Sequence, residues 1–209
     1  MIENKLGIIG NGKSGCTIAR LAYAGGWQAT ISGTGSATRT RTVTSIFAPD
    51  ALVAETSELI ASHEMIVIAV PMFGWKWLPL ESFAGRILID VMNYWPEVDG
   101  PTYEYEQGVA SSQIFQDALP ATTSVVKTFN HIGHHNMLLY AAAKGSPARK
   151  ALAVAGDDET AIAKVSQFVD DAGFDPVYAG TLAESRIMEP GGPVFDVSLN
   201  KSELEDLLN

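Results

Sequence analysis

The chain has 209 residues, 46% of them hydrophobic and 18% charged, with a formal net charge of -10. That suits one sizeable globular domain with a large core. It excludes a general binder of nucleic acid or anionic membrane, since both need broad positive surface. The one cysteine, Cys16, cannot form an intramolecular disulfide, so no secreted disulfide scaffold is expected. The longest apolar run, Met65 to Phe73, is far shorter than a membrane span. A cytoplasmic protein is expected.

Short apolar runs alternate with amphipathic stretches along the whole chain. Residues 5–10 read as a buried strand and 14–26 as a helix, with Ile18, Leu21 and Ala22 on one face. Residues 27–32 read as a second strand. Residues 37–48 read as a helix, a strand being the alternative because of their β-branched content. A short strand over 51–54 and a short helix over 57–62 follow. The clearest strand is 65–70, ended by Pro71, and a helix is expected over 74–83. Further strands are expected at 86–91, 124–129, 150–156 and 175–180. Further helices are expected at 108–119, 134–143, 158–173 and 202–208.

Strands alternating with helices predict an α/β fold with a doubly wound, mainly parallel sheet of the dinucleotide-binding kind. No repeat or linker divides the sequence. One domain over 1–209, with a short C-terminal extension from about residue 182, is the economical expectation.

Gly10, Gly12 and Gly15 stand in G-x-G-x-x-G register, between a strand and a helix. Gly10 permits a tight turn, Gly12 close approach of a pyrophosphate, and Gly15 packing of helix on strand. The N–H groups that open the helix then face the phosphates. Asn11, Lys13 and Ser14 complete the loop, although Lys13 also reads as a solvated surface residue. Cys16 reads as a small buried hydrophobe.

An Asp or Glu is expected some 20 residues further on, to hold the ribose hydroxyls. The stretch 31–41 carries none. It offers the hydroxyls of Ser32 and Thr34, the amides of Gly33 and Gly35, and the guanidinium groups of Arg39 and Arg41. All of these donate to a phosphate, so NADP is the expected cofactor rather than NAD. Arg39 lies nearer the loop and is the first candidate.

The glycine loop at 7–15, "IVIAVP" (66–71), "LIDVMNYWPEVDG" (88–100), "VVKTFNHIG" (125–133) and "AGFDPVYAGTLAESRIMEPGGPVF" (172–195) resemble the NADPH-dependent coenzyme F420 reductase family. That family is similar in turn to the N-terminal domain of pyrroline-5-carboxylate reductase and to the reductase domain of the STEAP metalloreductases. The resemblance implies hydride transfer between NADP(H) and a flavin-like acceptor, a Rossmann fold and a homodimer. It implies that residues 10–14 cradle the pyrophosphate, that Ser32 and its followers hold the 2′-phosphate, and that Ala69, Val70 and Pro71 flank the nicotinamide. Gly33 stands where the family often carries Arg, and His131 where it carries Thr.

Hydride transfer between two rings asks mainly for their juxtaposition and for exclusion of water, so neither a catalytic triad nor a metal is expected. Asn93 and Asn130, at strand ends, read either as partners of a carboxamide or ring, or as turn residues. Trp75, Trp77 and Trp95 read either as stacking surfaces or as packing. His131 is the candidate proton donor, with a structural hydrogen bond as the alternative. The expected partner is a small redox acceptor such as F420, a flavin or a quinone. The alternatives are an imine or carbonyl reductase, and a non-catalytic NADP-binding or redox-sensing protein.

Overall fold

The computed structural model describes residues 4–33 and 35–209. One eight-stranded sheet runs in the order β3-β2-β1-β4-β5-β6-β7-β8. Its strands are β1 (Lys5–Ile9), β2 (Gln28–Ser32), β3 (Leu52–Val53), β4 (Met65–Ile68), β5 (Ile87–Asp90), β6 (Ser124–Lys127), β7 (Ala151–Gly156) and β8 (Asp175–Tyr178). The first six are parallel. β7 runs antiparallel to β6, and β8 runs parallel to β7. The mainly parallel, doubly wound sheet read from the sequence is therefore present.

The helices are α1 (Lys13–Ala24), α2 (Ala37–Phe47), α3 (Thr56–Ser62), α4 (Pro96–Asp99), α5 (Tyr103–Glu106), α6 (Ser111–Asp117), α7 (His134–Tyr140), α8 (Glu159–Asp171) and α9 (Lys201–Leu208). The alternation of a strand splits the core across the sheet. Leu6 and Ile8 of β1 pack on one face with Ile18 and Leu21 of α1 and with Val165 and Phe168 of α8. Ile9 packs on the other face with Leu59, Phe83 and Phe115. A third cluster joins Ala153 and Val177 to Met188, Val194 and Leu204.

The helix expected over 74–83 is instead two 3-10 turns, Met72–Trp77 and Leu80–Phe83. Pro79 is the cause: it holds the residue before it extended, and Leu78 takes φ -80° and ψ 154°. The helix reading of 37–48 holds, with the side chain of Ser36 accepting the Arg39 N–H at its start. Among the described residues no helix is long and apolar enough to cross a membrane.

Strand order reverses between β1 and β4, which opens a crevice at the carboxyl ends of the strands. The glycine loop after β1, the loop after β2 and the turns after β4 and β5 all end there.

Candidate functional site

The glycine loop has the backbone that its sequence demands. Gly10 has φ +122°, and a Cβ there would stand 2.2 Å from the carbonyl oxygen of Ala69. Its N–H donates to the carbonyl of Ser32 at 2.8 Å, closing the loop onto β2. A Cβ on Gly15 would stand 1.9 Å from the Gly10 oxygen, so α1 can cross the loop only with glycine at that position. Gly12 differs: a Cβ there would meet nothing within 4 Å. It opens onto empty space at the start of α1, whose first turn carries no acid and no side-chain cap. Free N–H groups and open space at one helix start fit a pyrophosphate.

The loop after β2 departs from the sequence reading in three details. Ser32 is 1% exposed, and its hydroxyl accepts from Thr56 at 3.2 Å. It braces the end of β2 more than it faces solvent. A Cβ on Gly33 would stand 2.5 Å from the side chain of Asn11. Arg39 is exposed at the start of α2; a Cβ on Gly35 would approach its Cδ to 3.7 Å. Thr34 lies outside the described residues. An acid does reach this loop, from the neighbouring strand rather than from β2: the carboxylate of Glu55 accepts the Ala37 N–H at 3.1 Å.

Ser14, Ala69, Val70, Pro71 and Asn93 line one cleft of about 250 Å³, together with Met72 and Trp95. This brings the expected nicotinamide neighbours together beside the glycine loop. Asn11, Gly12 and Lys13 instead line a separate groove with Cys16 and Phe47, between α1 and α2. Cys16 itself is buried, and burial raises its thiol pKa, so it is no activated thiolate. The cleft adjoins a further cavity of about 450 Å³ lined by Phe73, Trp75, Tyr94, Tyr105 and Ser111. Met72 lines both. Of the three candidate tryptophans, Trp75 is a cavity wall, Trp95 lies against Phe195 at the cleft edge, and Trp77 is 91% exposed and lines neither.

Residues 5–94 match the family of coenzyme F420-dependent NADP oxidoreductases. The matched segment runs from β1 through the turn after β5, and so holds the glycine loop and every cleft residue from Ser14 to Asn93. The oxidoreductase class and the NADP cofactor read from the sequence agree with this match. The protein YjhV of Escherichia coli K12 is 44% identical over 52 residues, which are 25% of this chain and 38% of that protein. Two solved structures share the fold over nearly the full length. Hypothetical protein SMa0349 of Sinorhizobium meliloti has a TM-score of 0.79 at 25% identity, over 95% of this chain and 96% of its own. A candidate F420-dependent NADP reductase of Arthrobacter sp. FB24 has a TM-score of 0.75 at 22% identity, over 95% of this chain and 100% of its own.

Behind the cavity lies a buried charged cluster that sequence reasoning did not single out. Asp90 and Lys127 are register partners on β5 and β6, and both are fully buried. The Lys127 ammonium lies 3.4 Å from Asp90 and 4.0 Å from Glu189. It also donates to the Ser112 hydroxyl at 2.9 Å and the Met92 carbonyl at 3.2 Å. Glu189 Oε1 accepts the N–H and the hydroxyl of Ser111, while Oε2 has no hydrogen-bond partner among the described residues. Burial and then the Glu189 charge raise the Tyr105 phenol, which lines the cavity, to about 12. The available signal was a charge ending each of two apolar strand runs, "ILID" and "SVVK".

His131 is not placed to donate a proton to an acceptor. It is 2% exposed, and its Nε2 accepts the Ala153 N–H at 3.1 Å, so the proton sits on Nδ1, facing Asn130 Oδ1 at 3.3 Å. Burial, with the Lys127 charge, lowers its pKa to about 3. The imidazole is neutral and ties the end of β6 to β7, as the structural alternative expected. Asn93 and Asn130 bond to each other, the Asn93 amide to the Asn130 carbonyl at 2.7 Å and the Asn130 amide to Asn93 Oδ1 at 3.0 Å. Asn93 keeps one N–H and one lone pair toward the cleft it lines.

Proposed function

We propose that the chain is an NADPH-dependent reductase of a flat, flavin-like acceptor, with coenzyme F420, flavins and quinones as the candidate class. The observation that carries this is the junction at Met72. There the cleft beside the glycine loop shares a lining residue with a cavity walled by Phe73, Trp75, Tyr94 and Tyr105. A non-catalytic NADP-binding protein has no need of a second, aromatic chamber against the nicotinamide cleft.

In this reading the α1 N-terminus and Gly12 hold the pyrophosphate, and Arg39 meets the 2′-phosphate. Ala69, Val70 and Pro71 form the wall beside the nicotinamide, and Asn93 offers its free amide N–H to the carboxamide. Bound NADPH supplies the hydride. The protein supplies orientation of two rings and a dry contact between them. The aromatic walls suit the face of a planar acceptor.

Fluorescence titration with NADPH and with NADH, followed by turnover with F420, FMN and a soluble quinone, tests the reading. Tight NADPH binding with weak NADH binding, and turnover of one acceptor, are expected. Trp75→Ala should raise the acceptor KM about tenfold, an aromatic stacking loss, while leaving the Kd for NADPH unchanged. Equal binding of the two nucleotides, or NADPH binding without turnover of any acceptor, overturns it.

A further inference from the structure

The β2 strand ends in Ser32 and offers no acid, yet the crevice is not without one. β3 pairs with β2 in the register Ile31↔Val53, and the Ala54 N–H donates to the Ile31 carbonyl. Glu55 therefore leaves the sheet directly beside Gly33. It occupies the N-cap position of α3, where a carboxylate ordinarily caps its own helix, but it makes no such cap. Its Oε1 crosses instead to the first amide of α2, at Ala37. Among the described residues Glu55 takes part in no ion pair, and neither does Arg39 on the same loop.

We propose that Glu55 sets the discrimination between NADP and NAD by acting as a built-in oxyanion at the 2′-phosphate position. This rests on the reading of 32–39 as the 2′-phosphate loop. The first amides of α2 attract one oxyanion. A carboxylate and a phosphate there repel each other at short range. NADPH must displace Glu55 to reach the Ala37 amide, and NADH has no phosphate to compete. Thr56, next in sequence, stays bonded to Ser32, so the β2 end keeps its shape when the Glu55 side chain swings away. The preference for NADPH that Arg39 confers is thereby held below what the loop could deliver.

The test is calorimetric titration of wild-type protein, Glu55→Gln and Glu55→Ala with NADPH and NADH. Glu55→Gln keeps an oxygen for the Ala37 N–H and removes the charge. Removing one opposing charge at a helix terminus should tighten NADPH by about fivefold, with NADH changed by less than about twofold. Glu55→Ala should tighten NADPH in the same direction, showing that charge and not the bond decides. Unchanged NADPH affinity in both variants, equal weakening of both nucleotides, or selective loss of NADH binding each overturns the proposal; the last would make Glu55 a ribose ligand. Failure of the wild-type protein itself to bind NADPH instead removes the 2′-phosphate reading and this inference with it.

Discussion

Gly12 and Gly10 are two glycines of one motif with opposite reasons for being glycine. At Gly10 the backbone itself excludes a side chain, with φ at +122° and a carbonyl 2.2 Å from any Cβ. Gly10→Ala should destabilise the protein by about 3 kcal/mol, combining a strained φ with a backbone clash. Gly12 sits at φ -76° and ψ -171°, an ordinary extended conformation, and a methyl group there meets nothing. Gly12→Ala should leave the melting temperature unchanged within about 2 °C and weaken NADPH by about tenfold or more, because the methyl group occupies the approach of the pyrophosphate. Thermal melts and a nucleotide titration on both variants check this. A large loss of stability in Gly12→Ala, or undiminished binding, would break the assignment of the loop.

The same contrast recurs between β5 and β6. Asp90 and Lys127 face the side of the sheet that packs Leu88 and Val125, and neither reaches water. The pair is held by Ser112, which donates to Asp90 at 2.5 Å, and by the Met92 amide at 2.8 Å. Lys127→Met leaves two buried carboxylates without their cation and should cost about 3–5 kcal/mol. Asp90→Asn with Lys127→Met should cost less than the sum of the single changes, a coupling that urea denaturation reads directly. Additive losses would mean the two side chains do not pair. The glycine loop, the doubly wound, mainly parallel sheet and the cleft residues were legible because each rests on a local pattern, such as spacing of glycines, a strand end or strands alternating with helices. Glu55 and Glu189 were not, because each acts on a residue far along the chain, Glu55 on Ala37 and Glu189 on Ser111. The expected helix at 74–83 failed at Pro79, a local signal that its amphipathic pattern outweighed. His131 read as reactive because a histidine at a strand end cannot, from sequence, be told from one sealed under β7.

For the molecule as a whole, the histidines decide how stability answers to pH. His131 is held at about 3, by burial and then by Lys127, against an ordinary 6.5. Burial is also the largest cause lowering His63 and His134. The unfolded chain therefore takes up protons as pH falls through 6.5, while the native protein refuses them. Stability from His131 is fully present above that pH and is lost as pH drops toward 3, by up to about 1.4 kcal/mol per pH unit, and His63 and His134 act in the same direction. Asp158 acts in the same direction at lower pH. The Ser124 hydroxyl and the amides of α8 hold its carboxyl below its ordinary 3.8, so its contribution is lost as the pH passes below that value. Urea midpoints should thus be flat from about pH 7 to 8.5 and fall steadily on the acid side. His131→Gln should be less stable at neutral pH, having lost the fit of the imidazole to the Ala153 amide, yet show a shallower fall between pH 6.5 and 4. A His131 ring that titrates near 6.5 by NMR, or a variant whose acid slope equals that of the wild type, would show that the imidazole is not sealed in the folded protein.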